Sequence, residues 1–394
     1  MMRFRSVFLR ALLITVASAL MGAPALAQSP LKIGFVAELS GPQAALGQDQ
    51  YDGFMLFLEQ HGGRLGNLPV QVLREDTQLR PEVAVQIVQR LIERDRVPII
   101  TGVTFSNVMM AIHKPVTERK VFLISSLAGP SPIAGAQCSP YQFITSFQLD
   151  VAAEAHAHYA NEKGYKRIFL LAPNYQAGKD FLAGFRRVFK GEVVDEVYTA
   201  MNAPDFSAEL TQVAAARPDA VFAFYPGALG INFVRQYSQM GLLKTTPLLS
   251  QGAVDGSTLP ALGDAALGAL NGAPWGPDLE NVANRNFVQA FEEKYKRIPT
   301  LFAAQSYDAA QLLDSALRRV MGNVEDKEAL RLALKAAEFP SVRGNFRFGN
   351  NQFPIQDYFI QQVVKDARGR VTLRTVATPL KNHADSYAVR CPMK

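Results

Sequence analysis

The side chains that could do covalent or metal chemistry in this chain are spaced unfavourably for it. His156 and His158 are two apart, so on a helix they point in different directions and cannot share one metal. Neither a His-Glu-x-x-His nor a Gly-x-Ser-x-Gly occurs, which leaves a zinc hydrolase and a nucleophile elbow without their residues. Residues 172–180 have the outline of a phosphate loop around Gly178 and Lys179. They lack its first glycine and the Ser or Thr that would hold magnesium. Cys138 and Cys391 are the two cysteines, and neither has a second Cys or a His at ligand spacing. Carboxylates are plentiful but read as solvated helix faces. The residues point away from catalysis, so we read a non-enzyme that needs neither a metal nor a cofactor.

Binding is then the chemistry to look for, and the N-terminus says where. Arg3, Arg5 and Arg10 precede an apolar run over residues 11–21, and Ala25-Leu26-Ala27 follows. A basic start, an apolar middle and small residues at −3 and −1 predict a secretory signal peptide over 1–27. The run is shorter than the roughly 20 residues of a membrane span; the competing reading is an uncleaved anchor. No Cys follows the cut, so no lipid attachment is expected there. The expected location is the periplasm. In that oxidising compartment two lone cysteines most simply pair, against the alternative of two buried free thiols. Closing so long a loop is worth roughly 4–5 kcal/mol at best.

The formal charge is +6. Without the three leader arginines it is +3 and dispersed, with no basic run carrying interleaved aromatics. Nucleic acid is therefore not an expected partner. The chain length suits two domains.

Strand and helix patterns alternate from the start of the mature chain. Apolar strands are expected at 31–36, 70–73, 97–100 and 121–124. Helices fill 47–60 and the stretch opened by Pro81, with Val85, Val88, Leu91 and Ile92 on one face. A second series begins after Asp150. It has helices at 152–163, 179–189, 206–216 and 231–240, and strands at 168–171, 193–198, 220–224 and 248–249. Such βα series build parallel sheets. Three helices then run in succession (284–295, 302–321, 327–337), followed by β-like segments at 346–348, 355–364 and 371–378. Arg368-Gly369 marks a hairpin turn. The three helices are expected to cover one of the two sheets, which requires the chain to cross between lobes more than once.

The residues at the ends of these strands carry a resemblance. The stretch Leu31-Lys32-Ile33-Gly34-Phe35-Val36-Ala37-Glu38-Leu39-Ser40-Gly41-Pro42 followed by Gly47 resembles the opening of type I periplasmic binding proteins, including the leucine/isoleucine/valine-binding branch that feeds ABC importers. In order, Asp76-Thr77, Gly102 with Ser106, residues 124–130, Asn174-Tyr175-Gln176-Ala177-Gly178, Asp205-Phe206-Ser207, residues 218–221 and Tyr307-Asp308-Ala309-Ala310 add to it. The likeness spans essentially the whole mature chain. It implies an α/β fold of two doubly wound parallel-sheet lobes joined by a three-strand hinge. The expected lobes are 28–146 plus 276–346 and 147–275 plus 347–394. Ligand would lie in the cleft at the C-terminal ends of the strands, held by lobe closure. The implied partners are a small carboxylate and a membrane permease, and the protein is expected to be a monomer.

Ser106 follows a strand and opens a helix, where free N–H groups and the helix dipole favour an anion. The resemblance gives it the grip on a ligand carboxylate; a plain N-cap is the simpler role, and the two are compatible. Thr104 is a second hydroxyl nearby. Leu127 and Gly129 match positions that use backbone atoms. Where amino-acid binders place an acid for the ligand ammonium, the resemblance aligns the neutral Gln251 of this chain, with Asp255 as the alternative acid. A buried ammonium without a carboxylate is costly. Tyr175, Tyr225, Trp275 and Phe302 fall near loop or hinge segments and together suit an apolar slot. The expected ligand is thus an aromatic acid of the benzoate or hydroxycinnamate type, as in the aromatic-acid members of the family. The alternatives are branched-chain amino-acid binding, and a sensor that presents its effector to a receptor.

Overall fold

The computed structural model describes residues 29–393, so the leader lies outside the described residues. β1 (Leu31–Ala37) is buried along almost its whole length because parallel strands flank it on both sides. In chain order the first lobe starts β1, α1 (Ala44–Gln60), β2 (Arg64–Leu65), β3 (Leu68–Asp76), α2 (Pro81–Glu93), β4 (Ile99–Gly102) and α3 (Ser106–Thr117). It continues with β5 (Phe122–Ser125), the one-turn α4 (Ser131–Ala134) and β6 (Gln142–Ile144). The strands lie in the order β2-β3-β1-β4-β5-β6, all parallel but β2.

The second series is α5 (Leu149–Glu162), β7 (Arg167–Pro173), α6 (Gln176–Val188), β8 (Glu192–Thr199), α7 (Ser207–Ala216) and β9 (Ala220–Phe224). Then come α8 (Gly227–Gln239), β10 (Leu248–Gln251), α9 (Leu259–Leu262) and β11 (Leu270–Ala273). The chain returns to the first lobe for α10 (Val282–Tyr295), α11 (Leu301–Arg319) and α12 (Lys327–Ala336). It ends with β12 (Arg347–Phe348), β13 (Pro354–Lys365) and β14 (Val371–His383). The second sheet has the order β12-β13-β11-β10-β9-β7-β8, with β14 on β13; β13 runs antiparallel to its neighbours.

Helices pack on both faces of each sheet. In the first lobe α2 and α3 lie on one face and α1 and α11 on the other. The apolar row Ala84, Ile87, Val88 and Leu91 explains the placement of α2, with Pro81 in its first turn where a missing N–H costs nothing. α11 is buried almost all round because α1 closes over it. Gly53 makes that crossing possible, since a Cβ there would stand 2.0 Å from the Ala303 carbonyl oxygen. The three consecutive helices therefore cover the first sheet, while the tail strands complete the second. The expected hairpin is present: Gly369, at φ +74°, donates its N–H to Asp366 in the β13–β14 turn.

The chain passes between the lobes after β6, after β11 and after α12. One buried cation binds these crossings together. Arg343 pairs with Asp308 of α11 at 2.9 Å, both side chains fully buried. It also donates to the Ser146 carbonyl (3.0 Å) and to Gln356 Oε1 (2.9 Å). Asn281 donates to the Val342 carbonyl, tying the second crossing to the third. Cys138 and Cys391 form a disulfide, as expected.

Candidate functional site

The cleft is built where β4 and β5 end. Gly102, at φ +100°, turns the chain so tightly that a Cβ would stand 2.5 Å from the Val36 carbonyl oxygen. Thr104 and Ser106 are thereby delivered to the C-terminal edge of the sheet, the usual ligand crevice of an open α/β sheet. From the second lobe, the start of α6 and the ends of β9 and β10 face them. Between lies an inner cavity of about 60 Å³.

Ser106 is buried, and its Oγ accepts the Ala177 N–H of α6 at 3.0 Å, across the cleft. Its own O–H is left to donate to a ligand. α3 and α6 both begin here, neither is capped by its own N-cap side chain, and of the first N–H groups of α6 Ser106 takes that of Ala177. Two helix starts with free N–H groups favour an anion. Thr104 also lines the cavity, but its proton is committed to Gln50 Oε1 (2.7 Å) and its oxygen accepts the Glu38 N–H. Thr104 orders the wall instead of offering a donor.

The walls are aromatic. Tyr175 stacks on Phe224 at 6.1 Å and meets Phe105 at 6.3 Å from the opposite lobe, and Phe302 of α11 closes one side. Leu127 also lines the cavity. No Lys or Arg does. The polar groups at the far side are Gln251, Asp255 and Asn271. Gln251 Oε1 is buried without a hydrogen-bond partner. Asp255 is almost fully buried; its Oδ1 accepts from the Ser257 N–H (2.7 Å) and Oγ (2.6 Å), while its Oδ2 has no partner. Burial pushes its carboxyl up to about 6, against the lowering effect of those bonds. Behind Gln251, burial holds His156 neutral, its pKa pushed down to about 3.

Three expected residues lie elsewhere. Tyr225 points to the other face of the second sheet, where it packs between Phe206 and Phe233. Successive strand-end residues alternate in direction, so Phe224, one position earlier, is the aromatic in the cavity. Trp275 turns toward α10, donates to Asn284 Oδ1 at 2.6 Å, and lines an adjoining cavity. Gly129 is a close-approach glycine: a Cβ would stand 2.2 Å from the Phe147 carbonyl oxygen. It does not line the inner cavity.

The lobes touch around this cavity. Besides Ser106 with Ala177, the Asp180 carboxylate of α6 accepts from the Ser131 N–H (3.0 Å) and Oγ (2.7 Å) of the first lobe. Among the described residues no group of three or more His, Cys, Asp or Glu side chains is placed to hold a metal ion. No described helix is long and apolar enough to cross a membrane.

Residues 30–368 match the family model for periplasmic binding proteins. The chain belongs to that family. It is a periplasmic solute-binding protein of the ABC-transporter type, and its fold is the expected pair of parallel-sheet lobes. A Leu/Ile/Val-binding protein homolog from Brucella melitensis is 27% identical over 88% of this chain and 91% of its own length. A solute-binding protein of an ABC transporter from R. palustris, solved in complex with benzoate, is 30% identical with a TM-score of 0.88. That match covers 92% of this chain and 100% of the other. A second, from Rhodopseudomonas palustris BisB5 in complex with 3,4-dihydroxybenzoic acid, is 28% identical with a TM-score of 0.85, covering 91% and 99%. This periplasmic binding protein thus shares its family with proteins that bind solutes, not with enzymes.

Proposed function

We propose that this periplasmic binding protein captures a small aromatic carboxylate for import. The lobes 28–146 plus 276–346 and 147–275 plus 347–394 close on the ligand, and the closed monomer, freed of its leader, delivers it to a membrane permease. The observation that carries this reading is the inner cavity itself. It has aromatic walls and no Lys or Arg, a hydroxyl donor at Ser106 where α3 and α6 begin, and partnerless acceptors at Gln251 and Asp255. The first set suits a carboxylate on a flat apolar body. The acceptors suit a ring hydroxyl, which donates to the free Asp255 oxygen. The complexes of the two similar R. palustris proteins with benzoate and with 3,4-dihydroxybenzoic acid support the same ligand class.

Asp255 also favours a second reading, a branched-chain amino acid whose ammonium takes the free carboxylate oxygen. Thermal unfolding with leucine, 4-hydroxybenzoate and 4-hydroxycinnamate separates the two. A ligand that binds only the folded protein stabilises it by about 2.7 kcal/mol at a hundred times its Kd. We expect Tm to rise with the aromatic acids and not with leucine; a rise with leucine alone refutes the proposal.

A further inference from the structure

The inner cavity is small for an aromatic acid. An apolar cavity of about 150 Å³ takes a benzene ring, and this one measures about 60 Å³. Beside it lies a second cavity of about 220 Å³, and the two share Asp255, Asn271 and Leu301 in their walls. Together they come to about 280 Å³, close to the lower end of small-ligand pockets at roughly 300 Å³. The second cavity has a different character. Trp275, Leu259 and Leu373 supply apolar surface, while Gln361, Arg297 and Lys296 bring polar groups. Arg297 is engaged by Asp49 and Asp52. Lys296 is exposed and has no ion pair among the described residues.

We infer that the two cavities are one ligand chamber, and that the solute is an aryl acid longer than a benzoate. Its carboxylate sits at Ser106 and its hydroxylated end continues past Asp255 into the second cavity. This rests on the aromatic-carboxylate reading above and narrows it to arylalkenoate-type acids. Asp255 stands at the junction with one oxygen free, so the group that passes it carries a hydrogen-bond donor. A benzoate reaches no further than the junction at Asp255, leaves most of the second cavity empty of ligand and gains nothing from its outer walls.

The test is isothermal titration of the mature protein with benzoate and 4-hydroxycinnamate, repeated on Thr372→Trp. Thr372 is a half-buried β14 residue lining only the second cavity. The wild type should bind 4-hydroxycinnamate at least tenfold more tightly than benzoate. The variant should lose that preference while its benzoate affinity stays within threefold, which also shows that it folds. Should it bind neither acid, Val371→Trp serves in its place. Equal wild-type affinities, or an equal loss of both ligands in a variant that still binds benzoate, would overturn the two-compartment chamber alone. A wild type that binds leucine and neither aryl acid overturns the aromatic-carboxylate reading, and this inference with it.

Discussion

Asp255 makes the affinity for a hydroxylated ligand depend on pH in a direction that can be worked out. Its carboxyl is buried, its Oδ2 is unpartnered, and its pKa is raised from 3.8 to about 6. That rise corresponds to about 3 kcal/mol spent on keeping it ionised at neutral pH without ligand. A folded-state value above the unfolded one means that this cost is absent at low pH and grows as pH rises toward 6. A ligand hydroxyl that donates to Oδ2 needs the ionised form. The ionised fraction climbs from about one tenth at pH 5 to about nine tenths at pH 7, so the affinity for 4-hydroxybenzoate should rise about tenfold. Benzoate has no donor for Asp255, and its affinity should stay level or fall over the same interval. Asp49, pushed up to about 7, and Asp180, pushed up to about 6, also titrate here. They act on both ligands alike, so the difference between the two profiles isolates Asp255. Isothermal titration from pH 5 to pH 8 measures it, with Asp255→Asn as the variant that should flatten the 4-hydroxybenzoate curve. Parallel profiles for the two acids, or a rise that survives Asp255→Asn, refute the assignment.

Other outcomes follow from the same contacts. Ser106→Ala removes a donor to a charged group and an acceptor across the cleft, and should weaken aromatic-acid binding by about 1.5–3 kcal/mol in a titration. Arg343→Met leaves Asp308 buried without its cation, and should lower the free energy of unfolding by about 3–5 kcal/mol in urea. Cys138→Ser with Cys391→Ser should cost about 2–5 kcal/mol by the same measurement, with the loss matched by reduction of the wild type.

The fold was largely legible because its signal is local. Strands such as β1 and β9 are unbroken apolar runs, and α2 shows its buried row directly. β6 and β11 were not read: each is three or four residues long and includes Gln142 or Asn271 and Gly272, so neither length nor pattern marks it. The site was legible in part. Ser106, Tyr175, Gln251 and Phe302 line the cavity because position after a strand or at a helix start places a residue at the cleft. Tyr225 was read one residue too far, since position along the chain does not say which face of the sheet a terminal residue takes. Trp275 was drawn to the cleft by its place in a crossing, but Asn284 orients it toward α10. The isolation of the Asp255 Oδ2 depends on what Ser257 and the opposite lobe do not supply, and no spacing encodes that.

The disulfide has a mechanical meaning as well as an energetic one. Cys138 sits in the β5–β6 loop, and the tail it holds is anchored to α5 and α6 by Tyr387 and Arg187 on Asp150. Asn350 and Asn351, in the last crossing, bond to the same tail at Ala388 and Asp385. The two bodies are therefore riveted at the edge where they already share a backbone. A pair of plates fastened along one margin can swing but not slide, so separation is widest at the opposite rim, where Gln43 faces Gly227. In the proposed capture, solute passes that rim, and the riveted margin keeps the walls of the cleft in register.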